Sequence, residues 1–214
     1  MLELAGGSSR EIVRVLGGPA IGDIRSRLIR LASERTDEQK AIKALLDYRL
    51  PFDDRDLAKQ EMLSIVDGSH RLWYPTGRQG PFFVQEKESV ISEAYKQTVR
   101  AFLVHFFDVC LRKSSVQEQE FDVISMSNDH FTTHSQSLEF DFRGGSIGNF
   151  VFTGARLFFN SLEAAIFWFS NLSAIPEHCR IIPVLNVNTR VTIGACLADS
   201  TEIIGQVFSK PLHK

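Results

Sequence analysis

"GGSSREIVRVLGGPAIGDIRSRLIRLA" occupies residues 6–32 and carries two Gly-rich loops, at 6–9 and 17–23, each running straight into an apolar-periodic segment. In the first segment Ile12, Val13, Val15 and Leu16 form a stripe, which predicts a helix opening at Ser8-Ser9 and stopping at Gly17-Gly18. In the second, Ile24, Leu28 and Leu31 fall at i, i+4 and i+7 after Gly22-Asp23, which predicts a helix with Arg25, Arg27 and Arg30 off its apolar face. A third loop of the same design, "GGSIGN" at 144–149, precedes another helical pattern.

The chemistry of such loops is direct. The first turn of a helix has N–H groups without intrahelical partners, and the aligned peptide dipoles make that end partly positive. Glycine lets backbone approach an anion closely. Ser8, Ser9 and Ser146 add hydroxyl donors, Arg25 can form a bidentate contact to phosphate, and Asn149 suits a base or sugar edge. A Gly-Ser turn before a helix is by itself an ordinary cap, and neither GxGxxG nor GxxxxGK[ST] occurs. Residue chemistry alone points to a phosphate or nucleotide binder.

Outward from these loops, Thr36 and Gln39 form a capping box for a helix carrying Ile42, Leu45 and Leu46, closed by Pro51. A helix from about Asp54 to Asp67 ends at Gly68, and a long one runs from about Ser89 to Arg112. Residues 113–137, rich in Ser, Gln, Asn and His, read as a solvated insertion interrupted by the strand-like "FDVISM". Leu138, Phe140 and Phe142 alternate like a short strand. "NSLEAAIFWF" is a helix with Asn160 and Glu163 sharing its first turn, and "RIIPVLNV" is an apolar run of the kind buried on both faces of a sheet. Val191, Ile193, Ala195 and Leu197, with "TEIIGQVF", predict a C-terminal β-hairpin. Helices interleaved with buried strands indicate an α/β class.

The bulk numbers exclude several classes. The 214 residues suit a single domain, and a net charge of −2 gives no electrostatic reason to expect nucleic acid or an anionic membrane as partner. Three cysteines, without a CxxC pair, favour a reduced compartment, and no membrane span, signal or transit pattern is evident. The expectation is a soluble, cytoplasmic protein, with a homo-oligomeric state left open.

The residues also carry a resemblance. "GGSSREIVRVLGGPAIGDIRSRL", "SIGNFVFTGARLF" with "SLEAAIFWF", and "IIPVLNVNTRVTIGACLADSTEIIGQ" occur in the order found in the CofD-like family. That family includes 2-phospho-L-lactate transferase and the YvcK-type gluconeogenesis factor, and the resemblance covers residues 6 to about 112 and 140 to 206. It implies a Rossmann-like CofD-type fold with helices around a mainly parallel sheet, and a ligand that is a nucleotide diphosphate or nucleotide sugar. Transferase members use a divalent metal, so magnesium is the implied cofactor. By position, Gly6, Gly7, Ser8 and Ser9 match the first ligand loop; Gly22, Asp23 and Arg25 the second; Ser146, Gly148 and Asn149 the third.

Departures from the pattern matter too. The family opens with a strand and a Gly-rich turn, and carries an Asp pair before the first Gly-Gly; here Leu4 and Ala5 hold those positions. Those carboxylates are the natural metal ligands, since a divalent cation beside a diphosphate takes hard oxygens. The chain therefore reads as one partial CofD-like domain over 1–214, truncated at both ends, with no metal-ligating and no catalytic residue assigned. Two function classes follow: a phospholactyl-type transferase whose turnover is impaired, or a non-enzymatic nucleotide-sugar-binding regulator. An inactive fragment is the third reading.

Other groupings carry less. His130 and His134 have metal-ligand spacing but no third ligand, and His178-Cys179 reads as a loop before a strand. Asp53, Asp54 and Asp56 read as a helix cap, and Trp73-Tyr74 as core. Arg143 stands next to the third loop, equally suited to a phosphate or to solvent.

Overall fold

The computed structural model describes residues 8–74, 90–125, 139–191, 194–199 and 202–204. Seven helices and one hairpin make up these residues: α1 (Ser8–Leu16), α2 (Gly22–Leu31), α3 (Asp37–Asp47), α4 (Arg55–Asp67), α5 (Glu93–Ser125), α6 (Ile147–Phe159), α7 (Leu162–Leu172), β1 (Gly194–Cys196) and β2 (Glu202–Ile204).

Local chemistry sets most helix ends where expected. Thr36 Oγ1 accepts from the Gln39 amide while the Gln39 side chain returns to the Thr36 amide, closing the capping box of α3. Asp54 accepts from the amides of Asp56 and Leu57 at the start of α4, and Gly68, at φ 85°, ends it. One cap moves: Ser161, not Asn160, accepts from the Ala164 amide at α7, because Asn160 is already spent as the left-handed residue (φ 49°) that ends α6.

Helix α6 is the hub. Its sequence, IGNFVFTGARLFF, is apolar all round, and every residue from Ile147 to Arg156 is buried. It packs against α1, α2, α3, α5 and α7. Two glycines permit this. A Cβ on Gly154 would lie 2.1 Å from the Phe102 carbonyl oxygen of α5, and one on Gly148 would lie 2.4 Å from the Leu46 carbonyl oxygen of α3. Phe106 stacks on Phe150 at 4.8 Å, and Phe140 and Phe142 close the cluster over them.

Several expectations are corrected. Phe140 and Phe142 alternate inward, but the segment joins no strand; it lies beside residues 48–51, with Leu50 donating to the Gly145 carbonyl and Gly144 to that of Pro51. Leu138 lies outside the described residues. "FDVIS" (121–125) is the end of α5: a helix already nucleated adds residues one hydrogen bond at a time, against weak β preference. "RIIPVLNV" forms no strand, and Val184 in it is fully exposed. Its apolar run gave composition but no partner. The C-terminal hairpin is present, with β1 and β2 antiparallel and Ala195 opposite Ile203. This antiparallel ladder is the sheet among the described residues, and the expected parallel sheet is not found among them. No described helix is long and apolar enough to cross a membrane.

The core predicts one chemical property. Burial pushes the Cys110 thiol on α5 up to about 12, from an ordinary 9.0. The folded state then holds that proton more tightly than the unfolded state, so the contribution is intact below pH 9 and is lost as pH rises toward 12. Cys110→Ala should show a shallower loss of stability over that alkaline window in urea titrations. At pH 8, Cys110 should resist iodoacetamide while the exposed Cys196 reacts.

Candidate functional site

The chain brings the three Gly-rich helix starts together through side chains. Ser8 Oγ, at the start of α1, accepts from the Ser146 amide at 3.3 Å and from Asn149 Nδ2 at 2.8 Å. Asn149 Oδ1 accepts from Arg25 Nε at 2.9 Å, which ties in α2. Gly22 N donates to Ser9 Oγ at 3.3 Å, a second tie between α1 and α2. Ser146 Oγ donates to the Leu46 carbonyl at 3.4 Å, and Ile147 N to that of Tyr48, which joins the end of α3.

These contacts divide the expected residues into two sets. Ser8, Arg25, Ser146 and Asn149 are 5% exposed or less and bond to one another, with Arg25 Nη1 going to Asp47 and Ser146 Oγ to the Leu46 carbonyl. They form a clamp. Gly148 belongs with them, since its missing side chain makes room for the Leu46 backbone. Ser9 and Gly22 are half-buried and Asp23 is exposed, so these three form the accessible rim of the α1–α2 pair. Ile21, the residue before α2, gives no side-chain cap to that helix start. Gly6 and Gly7 lie outside the described residues.

Arg25 is a correction. Its position among the off-stripe arginines placed it outside, yet it is buried while Leu31 is exposed, so the buried stripe is Arg25, Leu28 and Ile29. Burial, and next the positive charge of Arg49, push its pKa below the ordinary value; Asp47, 3.3 Å from Nη1, opposes this. The clamp partner Asn149 is 124 residues away in sequence, so no local pattern could have shown this pairing.

The remaining groupings are placed as follows. Arg143 is held by Asp141, with Nη2 2.7 Å from Oδ2. Cys179 sits in a turn, its amide donating to the Pro176 carbonyl, and no strand follows it. Trp73 is fully buried and its indole N–H donates to the Ile65 carbonyl, from a 3-10 turn and not a strand end. His130 and His134 lie outside the described residues. A groove of about 400 Å³ between α5 and α6, lined by Thr98, Phe102, His105 and Phe158 among others, contains none of the expected residues.

For a divalent cation, the clamp and rim offer few hard oxygens. Asp47 faces Arg25, and Asp23 is the rim carboxylate without an ion-pair partner among the described residues. No cluster of three metal-ligating side chains occurs among the described residues. One carboxylate falls short of the oxygen set magnesium takes, so the described residues do not fit the implied cofactor.

With this geometry in hand, the comparisons decide the family. The model of the family described as 2-phospho-L-lactate transferase CofD matches residues 5–210. The chain belongs to the CofD family. The uncharacterized protein YNL011C of Saccharomyces cerevisiae is 37% identical to it over 201 residues, covering 94% of this chain and 36% of the yeast protein. The chain thus spans about a third of the length of that yeast relative. No solved structure matches.

One buried charged residue escaped sequence reasoning. Arg156 is the single cation in the apolar helix α6 and is 4% exposed. A charged side chain inside an all-apolar helix was the signal available in the sequence.

Proposed function

We propose that this chain binds a nucleotide-diphosphate-linked ligand at the rim formed by the starts of α1 and α2. The observation that carries the reading is the clamp, in which Ser8, Arg25, Ser146 and Asn149 hold three helix starts in one hydrogen-bonded unit. Helix starts fixed in this way present amide donors without reorganising when an anion arrives. Ser9, Gly22 and Asp23 meet the ligand, while Arg25 and Asn149 position the helices behind them. Gly6 and Gly7, outside the described residues, belong to this reading only through the family resemblance of their loop.

Family membership supports a relative of the transferase, and the shortage of carboxylates among the described clamp and rim residues favours binding over turnover. The preferred reading is therefore a nucleotide-sugar-binding member that signals occupancy, ahead of a magnesium-dependent phospholactyl transferase. Calorimetry with guanosine and uridine diphosphate compounds, with and without Mg²⁺, tests this. Binding that is indifferent to Mg²⁺ is expected. Binding that requires Mg²⁺ would restore the transferase reading, and a folded chain that binds neither compound would remove both.

A further inference from the structure

Two arginines are buried in the helical cluster, and they differ in one respect. Arg25 has Asn149 and Asp47 as partners. Arg156 has neither an acid nor an amide: its Nε and Nη2 are buried without a hydrogen-bond partner among the described residues. Burial depresses its pKa and no opposing charge offsets the effect. A lysine in such a place would shed its proton, whereas a guanidinium keeps its charge. Buried unpaired charge is strongly disfavoured, so a retained arginine of this kind calls for an anion.

The two unpartnered atoms define which anion. Nε–H and the adjacent Nη2–H lie along one edge of the guanidinium and point the same way, a fork that matches two oxygens of one phosphate or carboxylate. The covering structure is the Gly17–Gly18 turn between α1 and α2. A Cβ on Gly18 would lie 2.5 Å from Arg156 Nη1, so the turn sits directly on the guanidinium, and its left-handed φ of 81° favours glycine there. A Cβ on Gly17 would meet nothing within 4 Å, so this residue of the turn faces open space.

We propose that Arg156 is an anion-binding residue, its Nε–Nη2 edge gripping two oxygens of a phosphate group admitted under the Gly17–Gly18 turn. The site itself stands on Arg156 and the turn; only the identity of the phosphate as part of a nucleotide-linked compound rests on the function proposed above.

The test uses the 214-residue chain, inorganic pyrophosphate and a uridine diphosphate sugar, read by calorimetry and thermal melting. Wild type should bind pyrophosphate and melt at higher temperature with it. Arg156→Lys, which loses the fork and, buried without a partner, its proton as well, should bind at least tenfold more weakly. Arg156→Met should lose the pyrophosphate response altogether, yet melt higher than wild type in its absence, because the unpaired charge is gone. A merely structural arginine would do the reverse: the methionine variant would melt lower and keep any anion response, and that result overturns the proposal. If Arg156→Met leaves binding of the nucleotide sugar unchanged, this inference fails and the nucleotide reading stands. If pyrophosphate binding depends on Arg156 but no nucleotide compound binds, the inference stands and the nucleotide reading fails. A wild-type chain that binds neither probe ends both.

Discussion

Gly154→Ala is expected to leave the chain without a stable fold. The added methyl would sit 2.1 Å from the Phe102 carbonyl oxygen and 2.8 Å from its carbonyl carbon, both backbone atoms of α5. Backbone cannot rotate away as a side-chain tip can, so α5 and α6 must move apart along the most extensive helix contact among the described residues. Overpacking typically costs about 1–3 kcal/mol, and a clash of this depth against a main-chain carbonyl belongs above that range, at about 4 kcal/mol or more. Alanine's better helix propensity returns only about 1 kcal/mol. Circular dichroism and urea unfolding of the purified variant would check this. Adding Phe102→Ala should give no rescue, because the obstructing atoms are not part of the ring. A variant melting within a few degrees of wild type would mean that the two helices do not approach as described.

The second large effect concerns the clamp. Asn149→Ala strips a partner from Arg25 Nε and from Ser8 Oγ at once, both inside the protein. Ser8 Oγ keeps the Ser146 amide, but Arg25 Nε is left unmet; a buried unmet donor costs about 1–3 kcal/mol, more on a charged group, so a loss of about 3 kcal/mol is expected in urea unfolding. Asn149→Asp should be milder, since its carboxylate accepts from Arg25 and the Ser8 hydroxyl can turn to donate to it. Asp54→Ala, which removes only an exposed cap, should cost about 1 kcal/mol. Equal losses from Asn149→Ala and Asp54→Ala would show that the buried network carries no special weight.

What the sequence made legible follows a physical divide. Caps at Thr36, Asp54 and Gly68 depend on atoms a few residues apart, and their chemistry was readable where it stood. The Gly-rich starts of α1, α2 and α6 were likewise visible, and so was the idea that they meet. Their manner of meeting was not. Ser8 and Asn149 touch across 141 residues, and nothing near either one specifies the other. Charge pattern placed Arg25 outward because its burial is set by that remote asparagine. "RIIPVLNV" misled for the opposite reason: an apolar run declares a preference for burial, but a strand also requires a neighbour's backbone, which lies in other parts of the chain.

The span bridged by Ser8 and Asn149 also bears on the order of assembly. Local helices form early, whereas a contact closing so long a stretch of chain must wait for the search through unfolded conformations to end. The rim at the starts of α1 and α2 is then expected to consolidate late in folding, after the transition state. A molecule that seats there acts as a lock turned after the door has shut: it slows escape from the native state and does little to hasten arrival.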